Sequence, residues 1–215
     1  MSRGAFITIE GGEGVGKSTS LRAIESALRV RGVDITTTRE PGGTSLGEAV
    51  RSWILDGEHG ALSAEVEALL MFAARAQHLD EVIRPALAAG RWVVCDRFTD
   101  ATLAYQGGGR GAKSSFLANL VAAVQDGLDP DLTLLLDAPV NVGMARIADR
   151  PHDHFERESH DFFERVRSTY LKLAQANPER IRVIDATASA ADVAAAIERE
   201  IDAFFRRFQQ MQAQQ

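Results

Sequence analysis

The sequence predicts an α/β fold of three layers, about five parallel strands with helices on both faces, and two observations predict it. Short apolar, β-branched runs recur at Ala5 to Ile9, Asp34 to Thr38, Trp92 to Asp96, Leu132 to Asp137 and Ile181 to Asp185, separated by longer segments of helical period. Within Leu132-Thr133-Leu134-Leu135-Leu136 the apolar residues are nearly continuous rather than alternating, which suits strands covered on both faces. The first strand leads through a glycine-rich turn into a helix over Lys17 to Arg31, with Leu21, Ile24 and Leu28 on one stripe and Gly32 as a left-handed stop. After the second strand, Ser45-Leu46-Gly47-Glu48 has capping-box spacing and opens a short helix through Leu55. Ala64 to Ala89 is a longer helical stretch that Pro85 should kink or break near Arg84. Helices over Ser115 to Val124, Val140 to Ala148, Ser159 to Ala176 and Ser189 to Phe208 complete the set, the last opened by Ser189 with Asp192 three residues on. The glycine run Gly107 to Gly111 and the polar segment Asp149 to His160 read as mobile loops. With no repeat and no linker, residues 1–208 read as one domain, and 209–215 as a disordered tail.

Composition removes several function classes. A chain of 215 residues with 45% hydrophobic and 25% charged residues is globular, not disordered, collagenous or a disulfide scaffold. The single cysteine, Cys95, follows Trp92-Val93-Val94 and reads as a buried thiol in a reducing compartment, so the cytoplasm is expected. The run Ala5 to Ile9 is too short for a signal segment or a membrane span, and no membrane partner is expected. A net charge of -6 without a basic run gives no general attraction to a phosphate backbone, so no nucleic-acid partner is expected either. An anionic ligand would draw its counter-charge from a few local arginines.

Gly11-Gly12-Glu13-Gly14-Val15-Gly16-Lys17-Ser18 fits the P-loop pattern and lies between a strand and a helix, where that pattern has physical meaning. Glycines let successive backbone N–H groups turn inward as an anion nest, and the helix N-terminus adds its positive end. Lys17 would reach the outer phosphates and the Ser18 hydroxyl would bind Mg²⁺. The fold class is therefore a three-layer P-loop NTPase fold. No Asn-Lys-x-Asp guanine-reading motif is present, which disfavours a GTPase switch.

The carboxyl edge of the sheet gathers the remaining candidates. Asp96 and Arg97 end the third strand: Asp96 suits Mg²⁺ or its water, with Asp137 at the end of the fourth strand as a rival, and Arg97 suits an acceptor phosphate. Arg39-Glu40-Pro41-Gly42-Gly43-Thr44 brings a second arginine to the same edge, pointing to a second phosphate. On the long helix, Phe72 and Arg75 share a face near Gln77, an aromatic plate beside a guanidinium that could read a base.

These segments, together with Ala104-Tyr105-Gln106-Gly107, resemble the thymidylate kinase family in order and spacing from about Phe6 to about Asp185. The resemblance implies ATP-dependent phosphorylation of dTMP to dTDP on a nucleoside monophosphate kinase fold, ATP and Mg²⁺ as cofactors, and a homodimer. It implies that Phe72 stacks on thymine and Arg75 hydrogen-bonds its edge, that Arg39 and Arg97 hold the acceptor phosphate, and that Tyr105 crowds the sugar 2' position. Glu13 matches an acidic residue near the 3'-hydroxyl and the metal, and Thr102 and Gln106 would finish the base pocket. Two departures stand out: Ala101 occupies a position where many members carry serine, and His154 one where an arginine is expected.

Because phosphoryl transfer needs positive charge around the moving phosphate, and the loop itself offers only Lys17, the segment of about 146–160 is expected to act as a lid. Arg150 would reach the phosphates in cis, and Arg146 resembles the arginine that packs on adenine. Lys17, Asp96, Arg97 and Arg150 form the expected catalytic set. The competing readings are a kinase for another nucleoside monophosphate, differing only in the base pocket, and a P-loop ATPase that works as a conformational switch. The apolar faces of Ser63 to Leu79 and of the helix bearing Phe116 and Leu120 are candidate pairing surfaces.

Overall fold

Five parallel strands, β1 (Phe6–Gly11), β2 (Ile35–Arg39), β3 (Trp92–Asp96), β4 (Leu132–Asp137) and β5 (Ile181–Asp185), form one sheet in the order β2-β3-β1-β4-β5. The structure is a computed structural model and describes residues 3–56, 60, 62–149 and 155–213. β1 is central and buried along its whole length, which is why its six residues include only two with a charged or hydroxyl side chain, Thr8 and Glu10. Side chains alternate between two cores, so that Ile7, Ile9, Leu134 and Leu136 face one helical layer and Phe6, Val93, Cys95 and Leu135 the other. The first layer is α1 (Lys17–Val30) with α9 (Ala190–Ala213). The second contains α3 (Ala64–His78), α4 (Arg84–Ala88) and α8 (His160–Ala176), with α2 (Ser45–Asp56) packed on α3. Shorter helices α5 (Thr99–Thr102), α6 (Ser114–Gln125) and α7 (Val140–Ile147) connect the strands.

Several local expectations change for identifiable reasons. The long helix is interrupted at the expected place, but by a π-helical turn over Leu79–Ile83, so the chain runs on into α4 instead of breaking. Pro85 donates no N–H and its ring crowds the carbonyl four residues back, and widening the turn relieves both. The α2 cap lies one residue earlier than the capping-box spacing suggests: Thr44 Oγ1 accepts from the Gly47 N–H at 3.0 Å, while Glu48 accepts from the Gly43 N–H at 3.0 Å. The tail is ordered further than expected, because α9 extends to Ala213 behind Phe204 and Phe208, both packed edge-on against Trp92.

The largest correction concerns the glycine run. Instead of a mobile loop, Leu103–Gly109 is a π-helical continuation of α5 pressed against α8. A Cβ at Gly108 would lie 2.0 Å from Thr169 Oγ1, and one at Gly109 would lie 2.4 Å from the Phe162 ring. Glycine is used here for close approach, not for freedom. In the lid segment, Phe155–Arg157 form a 3₁₀ turn with Phe155 and Glu156 buried, while Arg150, His152, Asp153 and His154 lie outside the described residues.

Gly109→Ala should therefore overpack this seam and destabilise the protein by about 1–3 kcal/mol, read as a lowered midpoint in urea or thermal unfolding. An unchanged midpoint would mean that the π-helical segment and α8 can separate without cost.

Candidate active site

The turn between β1 and α1 takes its shape from glycine: Gly11, Gly14 and Gly16 have φ of 141°, 68° and 91°. It is seated backbone to backbone on α7. A Cβ at Gly14 would lie 1.9 Å from the Gly143 carbonyl oxygen, and one at Gly143 would lie 2.2 Å from the Glu13 carbonyl oxygen. The Lys17 ammonium donates to the Gly12 oxygen at 2.7 Å and the Gly11 oxygen at 3.3 Å, so the cation is held over the turn. Burial and the nearby Arg97 cation keep Lys17 below the ordinary lysine range. Ser18, in the first turn of α1, lies on the same open groove as Lys17, Arg39, Asp96 and Arg97.

Glu13 places a carboxylate inside this anion-binding turn, and Arg97 answers it. Arg97 sits at φ 68°, in the left-handed region that a non-glycine residue adopts only when its surroundings compel it. Its guanidinium donates to Glu13 Oε1 at 2.6 Å, Tyr105 Oη at 3.0 Å, Gly11 O at 3.1 Å and Tyr170 Oη at 3.3 Å. Tyr105 in turn donates its hydroxyl to Glu13 Oε1 at 2.6 Å, with the Arg97 cation over its ring. Behind them, Tyr170 donates to Glu10 Oε2 at 2.7 Å and the Phe98 N–H donates to Glu10 Oε1 at 2.7 Å. Burial, reinforced by Asp100, pushes the Glu10 carboxyl up to about 8.

A second, deeper cavity opens beside Arg97 and Tyr105. Arg75 enters it from α3, fixed by its Nε on Glu40 Oε2 at 2.7 Å and one terminal nitrogen on Thr102 Oγ1 at 3.0 Å. The other terminal nitrogen, Nη1, is buried without a hydrogen-bond partner among the described residues, a donor that costs free energy unless a ligand accepts from it. Thr102, Tyr105 and Gln106 line the same cavity. Phe72 is not among them: it is 2% exposed and lies directly beneath the Arg75 guanidinium. Met71, four positions before Arg75 on α3, shares the cavity wall with it. Gln77 turns away to Glu81.

Arg39 and Arg97 both line the open groove, with Arg39 braced by Glu48 at 2.8 Å. Sequence reasoning missed Arg51, which lines both the groove and the cavity and donates to the Pro41 oxygen at 3.2 Å. No local motif marks it; only its place on α2, one turn beyond Glu48, could have suggested it. Tyr170 was also missed, being a single tyrosine on an amphipathic helix.

On the donor side, Asp96 Oδ1 is buried without a hydrogen-bond partner among the described residues. Asp137, the rival, is occupied by a two-pronged contact from Arg167 at 2.8 and 2.9 Å. Arg146 reaches the Gly14 oxygen at 3.5 Å and borders a pocket lined by Ala186, Ala188, Ala190 and Val193 on the far side of the glycine turn. No cluster of three or more His, Cys, Asp or Glu that could hold a metal exists among the described residues, and no helix among them is long and apolar enough to cross a membrane.

Comparison with known proteins follows this geometry. The family model described as Thymidylate kinase matches residues 9–197. The chain is 55% identical over 196 residues to a thymidylate kinase of Pseudomonas savastanoi, covering 91% of this chain and 93% of that one. It is 53% identical over 206 residues to a thymidylate kinase of Nitrosomonas europaea, covering 95% of each. Among solved structures, the thymidylate kinase of Ehrlichia chaffeensis superposes with a TM-score of 0.75 at 32% identity, over 93% of this chain and 99% of that one.

The buried Glu10 gives a pH prediction. Its folded-state value of about 8 lies above the ordinary 4.5, so its contribution to stability is complete below the unfolded value and is lost as pH rises through about 8. Urea titrations between about pH 5 and pH 9 should show wild-type stability falling over this window relative to Glu10→Gln, which carries no titrating proton. Parallel pH profiles for the two proteins would show that Glu10 ionises freely in the fold.

Proposed function

The chain belongs to the thymidylate kinase family, and from that membership we propose how its residues carry out the ATP-dependent phosphorylation of dTMP to dTDP. The observation that best supports the reading is the arrangement of two subsites that share Arg97, with the buried, unpartnered Arg75 Nη1 on a residue of the cavity wall. A nucleotide occupying both would place its phosphate on guanidinium groups and its base against a buried donor.

The β- and γ-phosphates of ATP bind the turn amides of residues 11–16 and Lys17. Arg146 flanks the adenine pocket, and Arg150 closes from the lid. Arg97, Arg39 and Arg51 grip the acceptor phosphate, and Tyr105 stands at the sugar. Arg75 donates to a base carbonyl, Thr102 and Gln106 complete the wall, and Phe72, beneath Arg75, and Met71 form the apolar side of the base pocket. Mg²⁺ would be held by Ser18 and the unpartnered oxygen of Asp96; a magnesium ion shared with phosphates needs only one or two protein ligands, so these residues fit it. When bound it neutralises charge on the phosphate oxygens. The protein's part is to hold the acceptor oxygen in line with the γ-phosphorus and to surround the transferring group with Lys17 and arginines. Glu13, by binding Arg97 in the resting site, keeps that guanidinium aimed at the junction.

We place the reaction in the cytoplasm, where the buried Cys95 thiol stays reduced. We also propose a homodimer formed through α3, whose Val66 and Leu69 are 41% and 49% exposed.

Two measurements test these readings. In a coupled assay, ADP release should depend on added dTMP, and dTMP should outperform dCMP and dGMP; ADP release without an acceptor would favour the ATPase reading. In sedimentation, the wild type should run as a dimer and Leu69→Glu as a monomer; a monomeric wild type would remove the pairing surface.

A further inference from the structure

A buried carboxylate outside the cavity holds one of the side chains that line it. Gln106 lines the cavity, and its amide nitrogen donates to Glu67 Oε2 at 3.0 Å. Glu67, on α3, is 1% exposed and does not reach the cavity. Its carboxylate is paired with Arg110 at 3.2 Å, and Arg110 is itself fixed by Glu158 at 2.5 Å and by the Phe155 and Phe162 rings. A carboxylate in such a pair accepts hydrogen bonds and cannot donate them. The Gln106 amide can therefore satisfy Glu67 in one orientation only, with its nitrogen toward Glu67 and its carbonyl oxygen left to the ligand.

We infer that Glu67 is a positioning residue for base specificity: by fixing the Gln106 amide, it makes the cavity wall that Gln106 shares with Arg75 offer an acceptor as well as the unpartnered donor Nη1. This rests on the thymidylate reading above and deepens it. An acceptor next to a donor matches the imide edge of thymine or uracil, whose N3–H donates and whose O4 accepts. Cytosine presents the reverse at both positions, an acceptor at N3 and an amino group at C4. Either mismatch leaves a buried polar group unpaired, the situation in which binding sites discriminate most strongly. The 5-methyl group plays no part in this edge, so the same device treats dTMP and dUMP alike.

Glu67→Gln keeps the shape but can donate to Gln106 and so permits the amide to turn over. The test compares kcat and KM of wild type and E67Q with dTMP, dUMP and dCMP. Discrimination between dTMP and dCMP should fall roughly 10- to 100-fold in E67Q, mostly through KM, while the ratio of dTMP to dUMP stays unchanged. A merely structural role would weaken all three substrates together, and that result, or an undiminished preference over dCMP, would overturn the inference. Should E67Q not fold, the exchange variant E67Q/Q106E carries the test. In it the amide introduced on α3 donates to the carboxylate introduced on the cavity wall, whose second oxygen faces the base as an acceptor. This variant should prefer dTMP over dCMP, and loss of that preference overturns the inference. A wild type that does not phosphorylate dTMP would sink the thymidylate reading itself, an outcome separable from these.

Discussion

A negative side chain in the middle of an anion-binding turn is an electrostatic contradiction, and the contact between Glu13 and Arg97 resolves it. Phosphate could not enter a nest that carries an uncompensated carboxylate. Arg97 supplies the compensation at 2.6 Å, and to do so the chain leaves β3 in a left-handed conformation that costs of order 1–3 kcal/mol. Tyr105 and Tyr170 hold the guanidinium from two further sides, so the strain is distributed over three elements that cannot relax independently. The same guanidinium lines both the open groove and the second cavity.

That requirement explains much of the surrounding architecture. Tyr105 can reach Glu13 because the chain after α5 continues as a π-helix, and the π-helix can lie against α8 because Gly108 and Gly109 have no side chains to collide with Thr169 and Phe162. α8 then contributes Tyr170 to Arg97 and Glu10, tying the centre of the sheet to the site. On the acceptor side, α3 works at two depths: Arg75 faces the cavity, while Glu67, two turns earlier, is buried behind Gln106. A buried charge persists only when it is paired, and Glu67 is paired with Arg110 and Arg75 with Glu40.

Features encoded by contiguous residues were legible in advance. The glycine turn, the five strands and the pair Asp96-Arg97 depend on local pattern and on the rule that ligands gather at the carboxyl ends of parallel strands. The features that were misread depend on contacts between distant segments. Met71 lines the cavity beside Arg75 although no motif marks it, because that depends on how α3 is rotated against the sheet. The glycine run looked mobile because nothing nearby in the chain reveals that α8 will press on it. Arg51 and Tyr170 belong to no motif, and their meaning comes only from what lies opposite.

The amino-acid sequence by itself determined the layered α/β class, the phosphate turn, the family and the chemistry of the reaction, because each is carried by short-range periodicity or by residues close together in the chain. Tertiary structure alone decided which apolar side chain lines the cavity beside Arg75, which arginines share that cavity and how the Gln106 amide is turned. Those outcomes follow from helix rotation and from long-range polar pairing, such as Glu67 with Gln106 and Arg110, and neither is encoded within any one stretch of the chain.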